Sequence, residues 1–243
     1  SFQISCEYAR THPDKKVLVI DVCPQANASS MLLGGMQRGE IELNKLSISN
    51  PRKTIAGYIR SRISSPYHSL RNGADYLLNV QKINQYVPGN LFLIPGDEEL
   101  EILASRVTGA TTPGPDDAWS KVHLWLSDLI EDVKRFWNTS ELTVFIDCNP
   151  SFGIYTELAM TASDRLIVPF SADGASRRAV RSVLNLLFGV QRAEGNQQSE
   201  YFVKTKASRL SLPQIYCYVG NRLTQANFAS ANAFKTVVEA IGA

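Results

Sequence analysis

No Cys-x-x-Cys spacing occurs among the four cysteines of this 243-residue chain, Cys6, Cys23, Cys148 and Cys217. That absence argues against a zinc ribbon and a disulfide framework, and the thiols are expected to be reduced. No apolar run approaches the roughly 18 to 20 residues needed to span a bilayer. The N-terminus also lacks the basic-then-apolar plan of a signal peptide. A cytoplasmic protein with no membrane partner is the resulting expectation. Neither low complexity nor an internal repeat is present, which leaves an ordinary globular class. Neither sign of charge dominates, with 25 Lys and Arg against 23 Asp and Glu. A formal net charge of +2 does not by itself predict nucleic-acid binding, because the distribution of charge decides that.

What is present is enough apolar residue, 44% of the chain, to bury one sizeable core, so residues 1–243 read as a single domain. The most telling stretch is Val17-Leu18-Val19-Ile20-Asp21-Val22-Cys23-Pro24-Gln25-Ala26-Asn27, an apolar run that ends in an acid and turns through Pro into two amides. Leu142-Thr143-Val144-Phe145-Ile146-Asp147 repeats the plan and leads into Asn149-Pro150-Ser151. Open α/β sheets bind ligands at the carboxyl ends of their strands, and acids there handle cations. Each acid also has a plainer reading as a helix cap.

Strands are expected at 16–22, 90–94, 142–147, 164–169 and 213–219. They alternate with helices at 1–11, 53–63, 153–162, 174–189 and 226–240. Thr111 to Pro115 marks a break. One amphipathic helix follows it, with Trp119, Val122, Leu126, Ile130, Val133 and Trp137 on a single stripe. Asp97 is placed to cap a helix starting at Glu98. This alternation predicts an α/β fold with a mostly parallel, doubly wound sheet flanked by helices.

The residues resemble the ParA/MinD group of deviant P-loop ATPases, on the partition-type ParA branch. That family carries Asp-x-Asp-Pro-Gln-Gly-Asn after a strand, and here Asp21 to Asn27 stands in its place. Its second acidic strand, Ile-Ile-Asp-x-Pro-Pro-Ser, is similar to Ile146-Asp147-Cys148-Asn149-Pro150-Ser151. A strand ending in Val-Pro is matched by Val168-Pro169, and a strand followed by Asn-Arg by Val219-Gly220-Asn221-Arg222. The family's defining Lys-Gly-Gly-x-Gly-Lys-Thr loop has no counterpart, since neither Gly-Lys-Thr nor Gly-Lys-Ser occurs. The chain is therefore expected to be truncated after its phosphate loop, without the first strand of the P-loop fold, and cut at the C-terminus as well. The span between Asp21 and Asp147 is long beside typical members, and the excess lies between Ser30 and Trp119. Its arginines, Arg52, Arg60, Arg62 and Arg71, together with Lys53, read either as a partner surface or as a solvated helix face.

The resemblance implies ATP and Mg²⁺ as cofactors, with Asp147 holding the metal through water and Asp21 supporting the same shell. Cofactor contacts carry over to Asn27, Pro150, Asn221 and Arg222, with Asn221 beside the adenine. The catalytic positions would be Asp21, Cys23 and Gln25. Cys23 stands where the family has the acid that positions the attacking water. Either hydrolysis is slow and the protein is a long-lived switch, or Gln25 or Asn27 orients the water; Cys23 also reads as a small buried residue. Its thiol is expected to keep its proton beside negative neighbours. The implied partners are a second copy in an ATP-dependent homodimer, nonspecific DNA and a ParB-like adaptor. Arg177, Arg178 and Arg181, or Lys204, Lys206 and Arg209, would face a phosphate backbone or plain solvent. Plasmid or chromosome partitioning is the implied role. A nonenzymatic adaptor that retains the fold and a MinD-like membrane-cycling ATPase are the alternatives.

Overall fold

The computed structural model describes residues 2–112, 114–149, 153–170, 180, 183–189, 198–220, 225–226 and 229–230. It divides into two compact units, residues 1–162 and 163–243.

Three parallel strands form the centre of the first unit: β1 (Val17–Asp21), β3 (Leu91–Ile94) and β4 (Thr143–Asp147). A two-residue antiparallel strand, β2 (Leu78–Asn79), gives the order β2-β3-β1-β4. Every residue of β1 is buried, as expected of a strand with a neighbour on each side and helices on both faces. Alternation divides its side chains between two cores. Leu18 and Ile20 pack with Ile94 against α4 (Ile55–Ser64), α5 (Leu100–Gly109), α7 (Trp125–Trp137) and α8 (Ile154–Thr161). Val17 and Val19 pack with Leu91 and Leu93 against α1 (Phe2–Thr11), α2 (Asn27–Leu32) and α3 (Met36–Ser47). Truncating one of these buried Leu or Ile side chains to Ala costs about 2–5 kcal/mol.

β4 differs from β1 in one respect. All five of its residues are only half-buried, and among the described residues it pairs on one side alone. The Thr143 N–H donates to the Lys16 carbonyl and the Asp147 carbonyl accepts from Val22 N–H. Residues 143, 145 and 147 therefore turn their backbone groups toward β1. By strand alternation, Val144 and Ile146 turn theirs to the open side.

The stripe from Trp119 to Trp137 forms two helices rather than one, α6 (Ala118–His123) and α7, meeting at Leu124 with ψ at 0°. There the buried His123 ring places Nδ1 2.8 Å from the Trp119 carbonyl and Nε2 3.0 Å from Glu157 Oε2. α7 ends on Asn138 in the left-handed region, φ 48°, a common helix stop. The excess between Ser30 and Trp119 is ordered as α3, α4, β2, β3 and α5 with two short 3-10 turns. Of its basic residues, Arg60 and Arg71 are exposed, Arg52 and Lys53 are half-buried and Arg62 is buried. Arg62 is 2% exposed and pairs with Asp128 at 2.6 Å, Arg52 and Arg60 pair with Glu99, and Lys53 donates to the Asp75 carbonyl.

The second unit holds β5 (Arg165–Phe170) parallel to β6 (Gln214–Gly220), helical residues 183–188, and α9 (Glu200–Ala207). Val168, Phe170 and Val180 form its small core. Where a helix was expected from 226, Gln225–Ala226 and Ala229–Ser230 pair as short antiparallel strands. Helix residues expected at 174–179 and 231–240 lie outside the described residues. So do Arg177, Arg178 and Arg181.

Candidate functional site at the strand ends

Asp21 and Asp147 are direct register partners at the carboxyl ends of β1 and β4, so their side chains share one face of the sheet. Their surroundings differ. Asp21 is fully buried, and both of its oxygens are taken. Oδ1 accepts the Cys23 N–H at 3.1 Å; Oδ2 accepts the Ser29 N–H at 3.0 Å and the Ser29 hydroxyl at 2.7 Å. The Ser29 bonds satisfy a first-turn amide of α2, the work of an N-cap done from eight residues upstream. Burial pushes the Asp21 carboxyl up to about 6, with Asp147 adding repulsion and the Ser29 and Cys23 bonds opposing it. Asp147 is half-buried, and its carboxylate has no hydrogen-bond partner among the described residues.

Between β1 and α2 the chain turns tightly, with Ala26 N–H donating to the Cys23 carbonyl at 3.0 Å. Ala26 sits at φ 49° and ψ 29°, a left-handed conformation that costs an L-residue about 1–2 kcal/mol. This is the position where the Asp-x-Asp-Pro-Gln-Gly-Asn pattern has Gly. Gln25 and Asn27 are exposed and joined by a 3.2 Å bond from Asn27 Nδ2 to Gln25 Oε1. Cys23 is half-buried. Its thiol is raised mainly by burial, with Asp21 and Asp147 adding smaller repulsions. Burial likewise pushes the Cys148 thiol up to about 12. Pro150, Asn221 and Arg222 lie outside the described residues.

Sequence reasoning missed the support beneath this turn. The Ser29 hydroxyl also accepts the Gly96 N–H at 2.8 Å. A Cβ on Gly96 would come within 2.9 Å of both Ala26 Cβ and Asp21 Cγ, so the loop after β3 closes on the site only because residue 96 has no side chain. Asp97, read from sequence only as a cap, has a wider role. It accepts Arg52 through Nε at 2.6 Å and Nη2 at 2.9 Å, the Thr54 hydroxyl at 2.5 Å and the Glu99 N–H at 3.0 Å. It thereby ties the starts of α4 and α5 together. The Pro95-Gly96-Asp97 break was the one signal available.

A model of the AAA domain family matches residues 1–200. The chain belongs to that family. Its motifs resemble those of the ParA/MinD group, and its fold is similar to that of the solved structures below. No curated protein matches the chain in sequence. Among solved structures, apo McdA from Cyanothece superposes with a TM-score of 0.65 at 15% identity, covering 99% of this chain and 73% of its own. A putative plasmid partition protein from Borrelia burgdorferi B31 bound to AMPPNP gives 0.55 at 18%, covering 98% and 75%. Cobyrinic acid a,c-diamide synthase from Mycobacterium smegmatis, with an ATP analog and magnesium, gives 0.59 at 15%, covering 98% and 74%. At these identities the likeness is one of fold.

Tested against the AAA-domain chemistry, the residues fit a magnesium ion in part. Asp147 offers an open hard oxygen donor of the kind Mg²⁺ prefers, whereas Asp21 has two bonds on Oδ2 and one on Oδ1, leaving little of it open. Among the described residues no group of three or more His, Cys, Asp or Glu gathers into a metal cage. A triphosphate cradle of Gly-Lys-Thr type is not in these residues. No helix among the described residues is long and apolar enough to cross a membrane.

Proposed function

We propose that this chain is a ParA-type ATPase that switches by ATP-dependent dimerisation in plasmid or chromosome partitioning. The observation that carries the reading is the register pair Asp21–Asp147, one carboxylate locked into the fold and the other left open beside it. Asp147 would hold Mg²⁺ through water, and the ion, when bound, neutralises charge on the triphosphate oxygens. Asp21 holds α2 and the Cys23–Asn27 turn in place from below. Gln25 and Asn27, exposed and joined to each other, are free to meet a ligand. Structures of similar fold with ATP or AMPPNP bound, McdA and a putative plasmid partition protein, support a nucleotide as the ligand.

These residues contain no Gly-Lys-Thr cradle for the phosphates, and among the described residues β4 pairs on one side alone. A ParB-like adaptor and nonspecific DNA are the proposed partners. Cys23 keeps hydrolysis slow, because a protonated thiol is a poor acceptor for a proton from the attacking water. In the protein of natural length, Cys23→Asp should raise ATP turnover about tenfold or more. Unchanged turnover would reject the role given to Cys23. The second reading, a nonenzymatic adaptor, is favoured by the absence of Gly-Lys-Thr, and no ATP-dependent dimer would form.

A further inference from the structure

The second unit contains a groove that the nucleotide chemistry does not use. Its walls are Leu187 and Phe188 on one side and Phe202 and Lys206 of α9 on the other, and its floor is Leu212, Pro213 and Ile215; it is an open groove of about 460 Å³. Two features of the sequence shape it. Gly189 ends the first wall in the left-handed region, φ 62°, and a Cβ there would come within 2.8 Å of the Phe202 ring. The second wall starts on a capped turn, with the Ser199 hydroxyl accepting the Phe202 N–H at 3.2 Å. Phe202 is thus seated against Gly189. Phe188, on the same wall, stays 56% exposed.

Charge at the rim defines what would cover it. Lys204 is paired with Glu200 at 2.7 Å, whereas Lys206 has no acidic partner among the described residues and stands 5.7 Å over the Phe202 ring. Gln214 adds a polar side chain to the same lining. An apolar floor edged by an ammonium without an acidic partner among the described residues complements apolar side chains with carboxylates next to them.

We propose that this groove is a docking site for a protein segment that alternates apolar and acidic residues. Such a segment buries its apolar side chains against Phe188, Phe202, Leu212 and Ile215 and sets a carboxylate on Lys206. The site goes beyond the ATPase reading and stands or falls without it.

The test is fluorescence anisotropy of the 243-residue chain with a labelled peptide of alternating Leu-Leu and Glu-Glu pairs. Matched controls are a Leu-Leu/Lys-Lys peptide and vesicles of anionic phospholipid. The acidic peptide should bind and the basic one should not. Lys206→Glu and Phe188→Ser, both at exposed positions, should each weaken binding about tenfold or more while leaving the unfolding midpoint unchanged. Equal binding of both peptides, binding of neither, undiminished binding by both variants, or capture by the vesicles in place of the peptide would overturn the proposal.

Discussion

The Ser29 hydroxyl bridges two loops: it donates to Asp21 Oδ2 at 2.7 Å and accepts the Gly96 N–H at 2.8 Å. One side chain thus joins the end of β1 to the loop after β3. The bonds continue through Asp97 into Arg52 and Thr54. The strand-end acid and the start of α4 are parts of one hydrogen-bonded body.

Removing that bridge should be costly for so small a change. Ser29→Ala leaves the buried Gly96 N–H without its acceptor and withdraws a donor from Asp21. The expected loss is about 1–3 kcal/mol, measurable as a lower urea midpoint at constant slope. An unchanged midpoint would mean that the two loops hold together without Ser29.

Stability should also depend on pH through two acids of opposite sense. The folded-state pKa of Asp21 is raised to about 6. Its contribution is therefore fully present below its unfolded value near 3.8 and is lost as pH rises through 6. That loss is roughly 3 kcal/mol at about 1.4 kcal/mol per pKa unit. Asp97 runs the other way. Burial would raise it, but Arg52, Thr54 and the Glu99 N–H more than offset that and lower it. Its stabilisation is present above its unfolded value and is lost as pH falls through the folded one. Asp21→Asn should remove the decline between pH 4 and pH 6, read from unfolding curves across that range. A variant that keeps the same decline would assign it to another group.

In the 243-residue chain, β4 should betray in amide exchange the edge that is unpaired among the described residues. Val144 and Ile146 point their N–H groups away from β1, while Thr143, Phe145 and Asp147 point theirs toward it. Hydrogen exchange at 144 and 146 is expected to outpace exchange at 143 and 145 by at least tenfold, since only the latter two lie within the ladder. Uniform protection along the strand would show that the edge is covered.

Much of this was legible in the sequence because burial on both faces leaves its mark on every residue of a strand. Val17 to Ile20 and Val144 to Ile146 could be little else, and placing them in one parallel sheet brought Asp21 beside Asp147. The supports were not legible. Ser29, Gly96 and Asp97 act through bonds between residues far apart in the chain, and no local pattern marks a serine that serves a distant amide. Asp21 read as support for a metal because its position suggested it; only the three bonds on its oxygens show how little of it is open. The stripe through Trp119 and Trp137 kept its period across Leu124, so the division into α6 and α7 left no trace. Ala26 was visible as a departure from a Gly pattern, and its left-handed φ gives the reason for that pattern.

The most direct test of the account is Mg²⁺-dependent ATP binding by the protein of natural length, compared by calorimetry with its Asp147→Asn and Ser29→Ala variants. The account predicts Mg²⁺-dependent binding in the parent. In Asp147→Asn that dependence should be abolished, with ATP affinity falling about tenfold or more; Ser29→Ala should lose stability yet keep the metal dependence. Undiminished Mg²⁺ dependence in Asp147→Asn would contradict the role given to the open carboxylate.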